Sequence, residues 1–514
     1  MNGAESLVRT LLAGEVDVCF TNPGTSEMHF VAALDQVPGM RSVLVLFEGV
    51  ATGAADGYFR MSGRPASTLL HLGPGLGNGL SNLHNAKKAG SGVVNIVGEH
   101  ATAHIALDAP LTSDIEGIAR PVSHWVHTSR TSADVGSDGA KAIAAARTPP
   151  GQIATLILPG DTAWDAGGVV ADSLPIPPRT AISEVAVNMA AEALRKPGSL
   201  LLLGGVALDE GCLAQAGRIA SATGCALLTE WSNARLERGA GRVTANRIPY
   251  PVDQATEMLA PYCQIVLVGA RPPVAFFAYP DKPGVLTAEG VKFVELAGVG
   301  ADIASGLDAL SIAVGAQSLT PSHVARARRP DIPDGPTTPE TIADVLGALI
   351  PENAIVVDES VTTGRSFFAA TAGAPPHTWL NNRGGSIGYG MPAAIGAAIA
   401  CPDRKVIALE GDGSAMYTVQ SLFTMAREHL DITVLIFANH SYRILHGELA
   451  NVGVANPGPR AIDMLTLNRP ELGWVEMAHG MGVEGCWVAN TRDLARAMEV
   501  GLSTTSPYLI EIEL

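Results

Sequence analysis

Residues Lys405 to Tyr442 read KVIALEGDGSAMYTVQSLFTMAREHLDITVLIFANHSY, and the order of chemistry along them decides the fold. Val406 to Leu409 is a short apolar run of the kind a strand buried on both faces requires. Gly411-Asp412-Gly413 ends it, the two glycines permitting a turn that a Cβ would obstruct. Leu422, Met425 and Leu430 are spaced as one face of a following helix, and Thr433 to Phe437 is a second buried strand with Asn439 just past its end. Strand, helix, strand makes a βαβ unit. Asp412 and Asn439 then stand at the carboxyl ends of two parallel strands, where open α/β sheets bind ligands. A carboxylate and an amide oxygen suit a hard cation, and magnesium takes one or two protein oxygens and completes its octahedron with phosphate and water. Gly and Asp also crowd ordinary turns, so the GDG triplet alone leaves a structural role as an even alternative.

The rest of the chain fits that unit. Its 514 residues predict two to four domains, and 47% hydrophobic against 16% charged residues is the profile of a large, well-buried α/β enzyme. A net charge of −16 argues against nucleic acid, which wants a basic face. The first residues, MNGAESLVRTLLAGE, carry Glu5 and Arg9 inside their apolar pattern and do not read as a signal peptide. No apolar run approaches a membrane span. Six scattered cysteines without a CxxC predict reduced core thiols and a cytoplasmic protein.

Residues 1–170 alternate helix and strand, with strands expected at Val16–Phe20, Ser42–Phe47, Ser67–Leu72 and Val93–Val97, and Ser26 as a helix N-cap. Glu48 directly follows the second strand and starts an Ala/Gly-rich helix. Prolines at 175, 177 and 178 mark a linker. A second α/β unit spans 183–320, with strands at Ser199–Leu203, Ala226–Thr229, Ile265–Val268 and Lys292–Glu295. Its LLLGGVALDEG is not a GxGxxG dinucleotide fingerprint. After another proline-rich linker, residues 340–514 form the third unit. Alternation of this kind predicts three doubly wound parallel-sheet domains.

GDG followed after 25 residues by Asn resembles the diphosphate–magnesium motif of thiamine diphosphate enzymes. LFEGVATGAADGYFR around Glu48 resembles the pyrimidine-binding segment of the acetolactate synthase/benzoylformate decarboxylase superfamily. The resemblance spans the chain and implies a pyrimidine-binding domain at 1–170, a central domain at 183–320 and a diphosphate- and magnesium-binding domain at 340–514. It implies Asp412, Asn439 and the Ser441 carbonyl as metal ligands, with Gly411, Gly413, Ser414, Ala415, Tyr442 and Ile444 beside the cofactor. Glu48 would hold N1′ of the aminopyrimidine and so promote loss of the C2 proton. NNRGGSIGYGMP, residues 381–392, matches the segment clamping the cofactor from the other side: Gly385 offers its carbonyl, Ser386 adjoins it, and Ile387 is the wedge that bends the cofactor. Thr362 and Thr363 are candidate diphosphate contacts, an ordinary helix cap being nearly as good a reading.

Three segments speak to substrate. His71 matches a catalytic histidine of benzoylformate decarboxylase, and Asn22-Pro23-Gly24-Thr25 matches a decarboxylase segment whose final hydroxyl Thr25 would supply. Leu111 lies in the stretch where acetolactate synthases carry a Phe-Gln-Glu trio, absent here. The decarboxylase's second histidine would fall near Ala278, beside Phe276 and Phe277. Those two rings, with Leu111, Ile444, Leu445 and Glu448, are expected to line the substrate pocket. The implied activity is non-oxidative decarboxylation of a 2-oxo acid in the manner of benzoylformate decarboxylase, with ligation to an acceptor aldehyde. An acetolactate synthase-like transferase is the runner-up, and a non-catalytic binding protein on the same fold a remote third. FAD, which acetolactate synthases usually carry, finds no support in the short middle segment. The family pairs domains of two subunits, which implies a homodimer at minimum and a homotetramer as the fuller assembly.

Overall fold

A computed structural model describes residues 1–514. The chain forms three parallel-sheet α/β domains. In the first, strands β1 (Val18–Thr21), β2 (Arg41–Leu44), β3 (Ala66–Leu70), β4 (Val93–Glu99), β5 (Trp125–Thr128) and β6 (Ile153–Pro159) lie in the order β2-β1-β3-β4-β6-β5, all parallel. The second holds β7 (Ser199–Leu203), β8 (Ala226–Thr229), β10 (Asn246–Arg247), β11 (Gln264–Val268) and β12 (Lys292–Ala297) in the order β10-β8-β7-β11-β12. The intervening β9 (Leu236–Arg238) leaves that sheet for the third one.

The third sheet contains β13 (Ile355–Glu359), β14 (His377–Asn381), β15 (Val406–Gly411), β16 (Ile432–Ala438), β17 (Glu484–Val488) and β18 (Tyr508–Glu513), in the order β17-β18-β16-β15-β13-β14-β9. β9 pairs antiparallel with β14 and closes that edge. Three residues are too few for a strand to show in sequence. What fixes them is tertiary: Glu237 accepts from the Thr378 hydroxyl and pairs with Arg235 and Arg242.

The opening stretch forms the predicted strand–helix–strand, with β15 and β16 adjacent and parallel, but its helix is broken. Asp412–Ala415 is one helical turn, Met416–Thr418 a 3₁₀ turn, and Ser421–Arg427 the helix proper, so Leu430 lies beyond it. β-branched Thr418 and Val419 disfavour a continuous helix, and the Thr418 hydroxyl donates instead to the Gly388 carbonyl. β2 is also shorter than its apolar run suggests, because the chain turns after Leu44 and leaves Leu46 exposed. Ser26 is not an N-cap. It sits inside the 3₁₀ turn Thr25–Glu27, with Gly24 at the cap.

One core of 47 buried residues draws on the first and third domains together. Its centre is the helix Glu48–Ser62 packed on the helix Gly390–Ala400 at backbone distance. A Cβ at Gly57 would stand 2.1 Å from the Ala393 carbonyl oxygen, and one at Gly396 would stand 1.9 Å from that of Ala54. Arg60, fully buried with Asp56, donates to the Ala234 and Asn381 carbonyls and the Tyr389 hydroxyl, so one guanidinium ties all three domains. All six cysteines are free, and three are buried. Cys263 is exposed and Cys401 and Cys486 half-buried, so they are not uniformly core thiols. No helix is long and apolar enough to cross a membrane.

Candidate active site

Two groups of residues gather at strand ends, one per outer domain. In the first domain, β1 runs into Asn22-Pro23-Gly24 and the 3₁₀ turn that carries Thr25, exposed, and Glu27, buried. β3 ends at His71, which caps the helix Leu72–Ala89. The Glu27 Oε2 accepts the Gly24 N–H at 2.8 Å and faces His71 Nδ1 at 2.8 Å. As a carboxylate it takes the Nδ1–H, which fixes the tautomer and leaves Nε2 free for chemistry. Burial raises the Glu27 carboxyl above its ordinary value, opposed by the bond from His71. Its Oε1 has no hydrogen-bond partner. Glu48 opens its helix with a side chain 6% exposed, accepting from Asn78 Nδ2 at 3.0 Å. Helix N-terminal peptide dipoles favour a carboxylate there.

In the third domain, Asp412 follows β15 and is 2% exposed. Its Oδ1 accepts the Gly413 N–H at 2.8 Å and its Oδ2 that of His440 at 2.7 Å, bridging the ends of β15 and β16. Burial raises its pKa, against those two N–H groups. Asn439 Oδ1 accepts from the Ser441 N–H, and the Ser441 hydroxyl donates to the Leu465 carbonyl. The Asp412 carboxylate, which burial disfavours, and the Asn439 amide oxygen stand at the ends of paired strands and, with the Ser441 carbonyl, would offer an all-oxygen donor set. Magnesium suits it, with phosphate and water completing the shell. Gly413 must lack a side chain, since a Cβ there would meet the Tyr442 ring at 2.6 Å. A cleft of about 520 Å³ adjoins Ser441 and is lined also by Arg443, His446 and Gly447.

The loop Asn382–Tyr389 lies between these groups. Ser386 bonds both ways with the Asn85 amide, and His84 reaches the Gly384 carbonyl. Gly385 takes φ +82°, and a Cβ on it would stand 2.6 Å from Phe276 Cζ. Ile387 is half-buried beside it. The residue that shapes this loop was not singled out in the sequence. Glu359, at the end of β13, accepts the N–H groups of Gly388, Tyr389 and Gly390 at 3.1, 2.9 and 3.0 Å on one oxygen. Asn382 donates to the other oxygen. Burial raises Glu359 and its strand neighbour Glu410, which stands opposite it in register with no hydrogen-bond partner. With four donors on Glu359 and none on Glu410, the shared proton belongs to Glu410.

Three non-glycine residues at these strand ends take the left-handed conformation: Leu72 at φ +47°, Val361 at +49° and His440 at +51°. Each directly adjoins a candidate residue: His71, Thr362 and Asn439. Strain of this kind persists where surrounding structure over-determines it, and clusters at functional sites. Thr363 is buried and Thr362 half-buried.

The substrate-side residues are only partly brought together. Phe276 packs edge-on to Trp231 (5.1 Å) and against Phe277 (4.8 Å) and Tyr250 (5.6 Å). Glu448, on the helix Arg443–Asn451, is half-buried and accepts from Tyr250 and Tyr279. Leu445 and Leu111 are exposed, and Leu111 lies on a first-domain loop.

Comparison with known proteins places this geometry. Residues 1–119 match the thiamine pyrophosphate enzyme N-terminal TPP binding domain, and residues 363–512 the corresponding C-terminal TPP binding domain. The chain is 50% identical over 514 residues to the "Putative acetolactate synthase large subunit IlvX" of Mycobacterium tuberculosis, covering 100% of this chain and 99% of that one. It is 30% identical to benzoylformate decarboxylase of Pseudomonas aeruginosa, covering 96% of this chain and 95% of that one. A thiamine diphosphate-dependent 4-hydroxybenzoylformate decarboxylase from Rhodococcus jostii RHA1 superposes with a TM-score of 0.86 at 24% identity, over 100% of this chain and 99% of that one.

Proposed function

The chain belongs to the thiamine pyrophosphate-dependent enzymes of the decarboxylase/acetolactate synthase family, and on that premise we propose that it decarboxylates a 2-oxo acid non-oxidatively, with magnesium and with ligation of the product carbon to an aldehyde. The single observation that carries this reading is the Glu27–His71 pair at the mouth of the sheet that also presents Glu48. An imidazole oriented by a buried carboxylate can donate and accept a proton at Nε2, which aldehyde release needs.

Bound thiamine diphosphate supplies a nucleophilic carbon and accepts the electrons released with carbon dioxide. Asp412, Asn439 and the Ser441 carbonyl would hold the magnesium, and the Gly411–Ala415 turn the diphosphate. Glu48 would hold the aminopyrimidine and move a proton at its carboxylate, while the Gly385 carbonyl orients the amino group and Ile387 supports the bend. Glu359 keeps that loop in place through its three N–H bonds. Thr25 would add a hydroxyl from the same turn that carries Glu27. Phe276 and Phe277 provide an apolar wall that excludes water and favours aryl or branched groups. In the reading implied by the family, Glu48 and His71 of one subunit serve the metal half of another, in a homodimer or homotetramer.

The runner-up is acetolactate synthesis from pyruvate. Similarity to IlvX favours it, as does Ala278, an alanine beside Phe277 where a second proton-transferring histidine would stand. Purified protein given thiamine diphosphate, magnesium and either benzoylformate or pyruvate, with and without acceptor aldehydes, separates the two. Benzaldehyde and 2-hydroxy ketones are expected. Acetolactate from pyruvate alone, with no turnover of a bulky 2-oxo acid, refutes the decarboxylase reading.

A further inference from the structure

Glu448 has an unusual setting for a residue beside an apolar wall. Its Oε2 accepts the Tyr279 hydroxyl at 2.6 Å and its Oε1 the Tyr250 hydroxyl at 3.3 Å. None of the molecule's ion pairs includes it, so its charge is met by phenols alone. Burial first, then the neighbouring Tyr279 and Glu448, raise the Tyr250 hydroxyl, and burial and then the bond to Glu448 raise that of Tyr279, so both stay protonated and donating. The Tyr250 ring packs on Phe276, whose Cζ lies against Gly385. Glu448 also follows Ile444 by four residues on one helix, so both lie on the same face. Their Cα atoms are then about 6 Å apart along the axis, comparable to the span of a benzene ring with its para substituent.

We propose that Glu448, carried by Tyr250 and Tyr279, is the distal polar end of the donor-substrate pocket and selects 2-oxo acids whose aromatic body ends in a hydrogen-bond donor. This rests on the decarboxylase reading and adds the substrate class to it. The aromatic body packs on Phe276 and Phe277, which are 40% and 53% exposed and so have a free face. Each carboxylate oxygen can accept two bonds, and the two tyrosines use only one on each. A ring hydroxyl therefore finds an acceptor already in place. A ring carboxylate meets a like charge in a site where no cation compensates it, and is rejected.

The test compares kcat/KM for benzoylformate, 4-hydroxybenzoylformate and 4-carboxybenzoylformate in wild type, Glu448→Gln, Glu448→Leu and Tyr279→Phe. Wild type should prefer the hydroxyl compound over benzoylformate by about tenfold, the effect of one such bond, and discriminate against the carboxylate by at least as much. Glu448→Leu should bring the hydroxyl preference close to one. Glu448→Gln keeps a hydrogen-bonding side chain and should relax the rejection of the carboxylate. Tyr279→Phe frees an oxygen of Glu448 and should retain the hydroxyl preference, which a carboxylate that merely ties the helix down does not predict. Should Glu448→Leu fail to fold, Glu448→Gln and Tyr279→Phe carry the comparison. Turnover of benzoylformate with a hydroxyl preference unmoved by Glu448→Leu overturns this assignment alone. A wild type inert toward every 2-oxo acid overturns the decarboxylase reading. The subsite is then read by calorimetry with 4-hydroxymandelate and mandelate on the cofactor-loaded protein, where equal affinity overturns the assignment too.

Discussion

Replacing Glu27 with glutamine tests whether His71 is a positioned proton-transfer group or a structural cap. In the Glu27→Gln variant the side-chain amide can still accept the Gly24 N–H but no longer presents a charge to His71 Nδ1. In the native protein that contact is 2.8 Å, with the Glu27 side chain 1% exposed. A hydrogen bond to a charged group contributes about 1.5–3 kcal/mol. Lost wholly in the transition state, that is about tenfold to 150-fold in rate. Benzaldehyde release from benzoylformate, followed with an aldehyde reductase at saturating cofactor and magnesium, should fall by that factor. Exchange of the cofactor's C2 proton, the step proposed for Glu48, should stay near wild type. The pH profile gives an independent reading. Burial raises the Glu27 carboxyl, so the carboxylate that takes the Nδ1–H exists only above that raised value. Wild-type kcat should therefore decline on the acid side at a pH above the ordinary carboxylate value of about 4.3, and Glu27→Gln should lack that limb. Wild-type kcat with an unchanged acid limb in the variant, or an equal loss of C2 exchange, would refute the reasoning.

Asp412→Ala should lose magnesium-dependent retention of thiamine diphosphate, read by calorimetry with and without the metal; affinity equal to wild type removes the metal assignment. Glu48→Gln should fold and bind cofactor yet slow C2-proton exchange by about 10²–10⁴-fold, the contribution of one positioned acid–base group, and NMR exchange at the wild-type rate contradicts it. His377 is held neutral by burial, its pKa down to about 3, so the unfolded chain, with a pKa of about 6.5, protonates first. Stability from this residue is present above about pH 6.5 and lost as pH falls toward 3, roughly 2 kcal/mol between pH 7 and 5. His377→Leu should show a correspondingly smaller drop in denaturant midpoint between those pH values, and an identical drop rejects the assignment.

What sequence could and could not disclose follows the physics of each element. β15 and β16 were readable because strands buried on both faces must be continuous apolar runs, and the strand-end positions of Asp412 and Asn439 because each directly follows such a run. The broken helix after Asp412 was not readable, because Leu422, Met425 and Leu430 satisfy helical spacing whether or not the helix is continuous. Only the Thr418–Gly388 bond, made across the fold, shows why it stops. β9 carries too few residues for a periodicity and owes its pairing to Glu237 and Thr378. Glu27 left a faint trace, as the residue three beyond Gly24 in a capping arrangement, but its pairing with His71 spans 44 positions.

Glu359 shows the deeper reason. It stands in DESVTT, where the hydroxyls of Thr362 and Thr363 look like the diphosphate contacts and the glutamate looks like a strand end. Its three N–H donors come from Gly388, Tyr389 and Gly390, about thirty residues on, and no local pattern announces such a partner. The requirement for it is nevertheless physical. A glycine-rich loop has little side-chain packing to hold its shape, and each glycine adds conformational entropy that opposes order. A single buried carboxylate taking three consecutive N–H groups fixes the loop through the one feature every residue in it shares, its backbone. Glu410 opposite it, holding the proton, then spares that carboxylate a second charge at strand-pairing distance. The shape of the loop between the two strand-end groups therefore depends on a buried acid pair. That is why strand-end motifs point to candidate reacting groups while a residue that holds a neighbouring loop in place becomes visible only once the chain is folded.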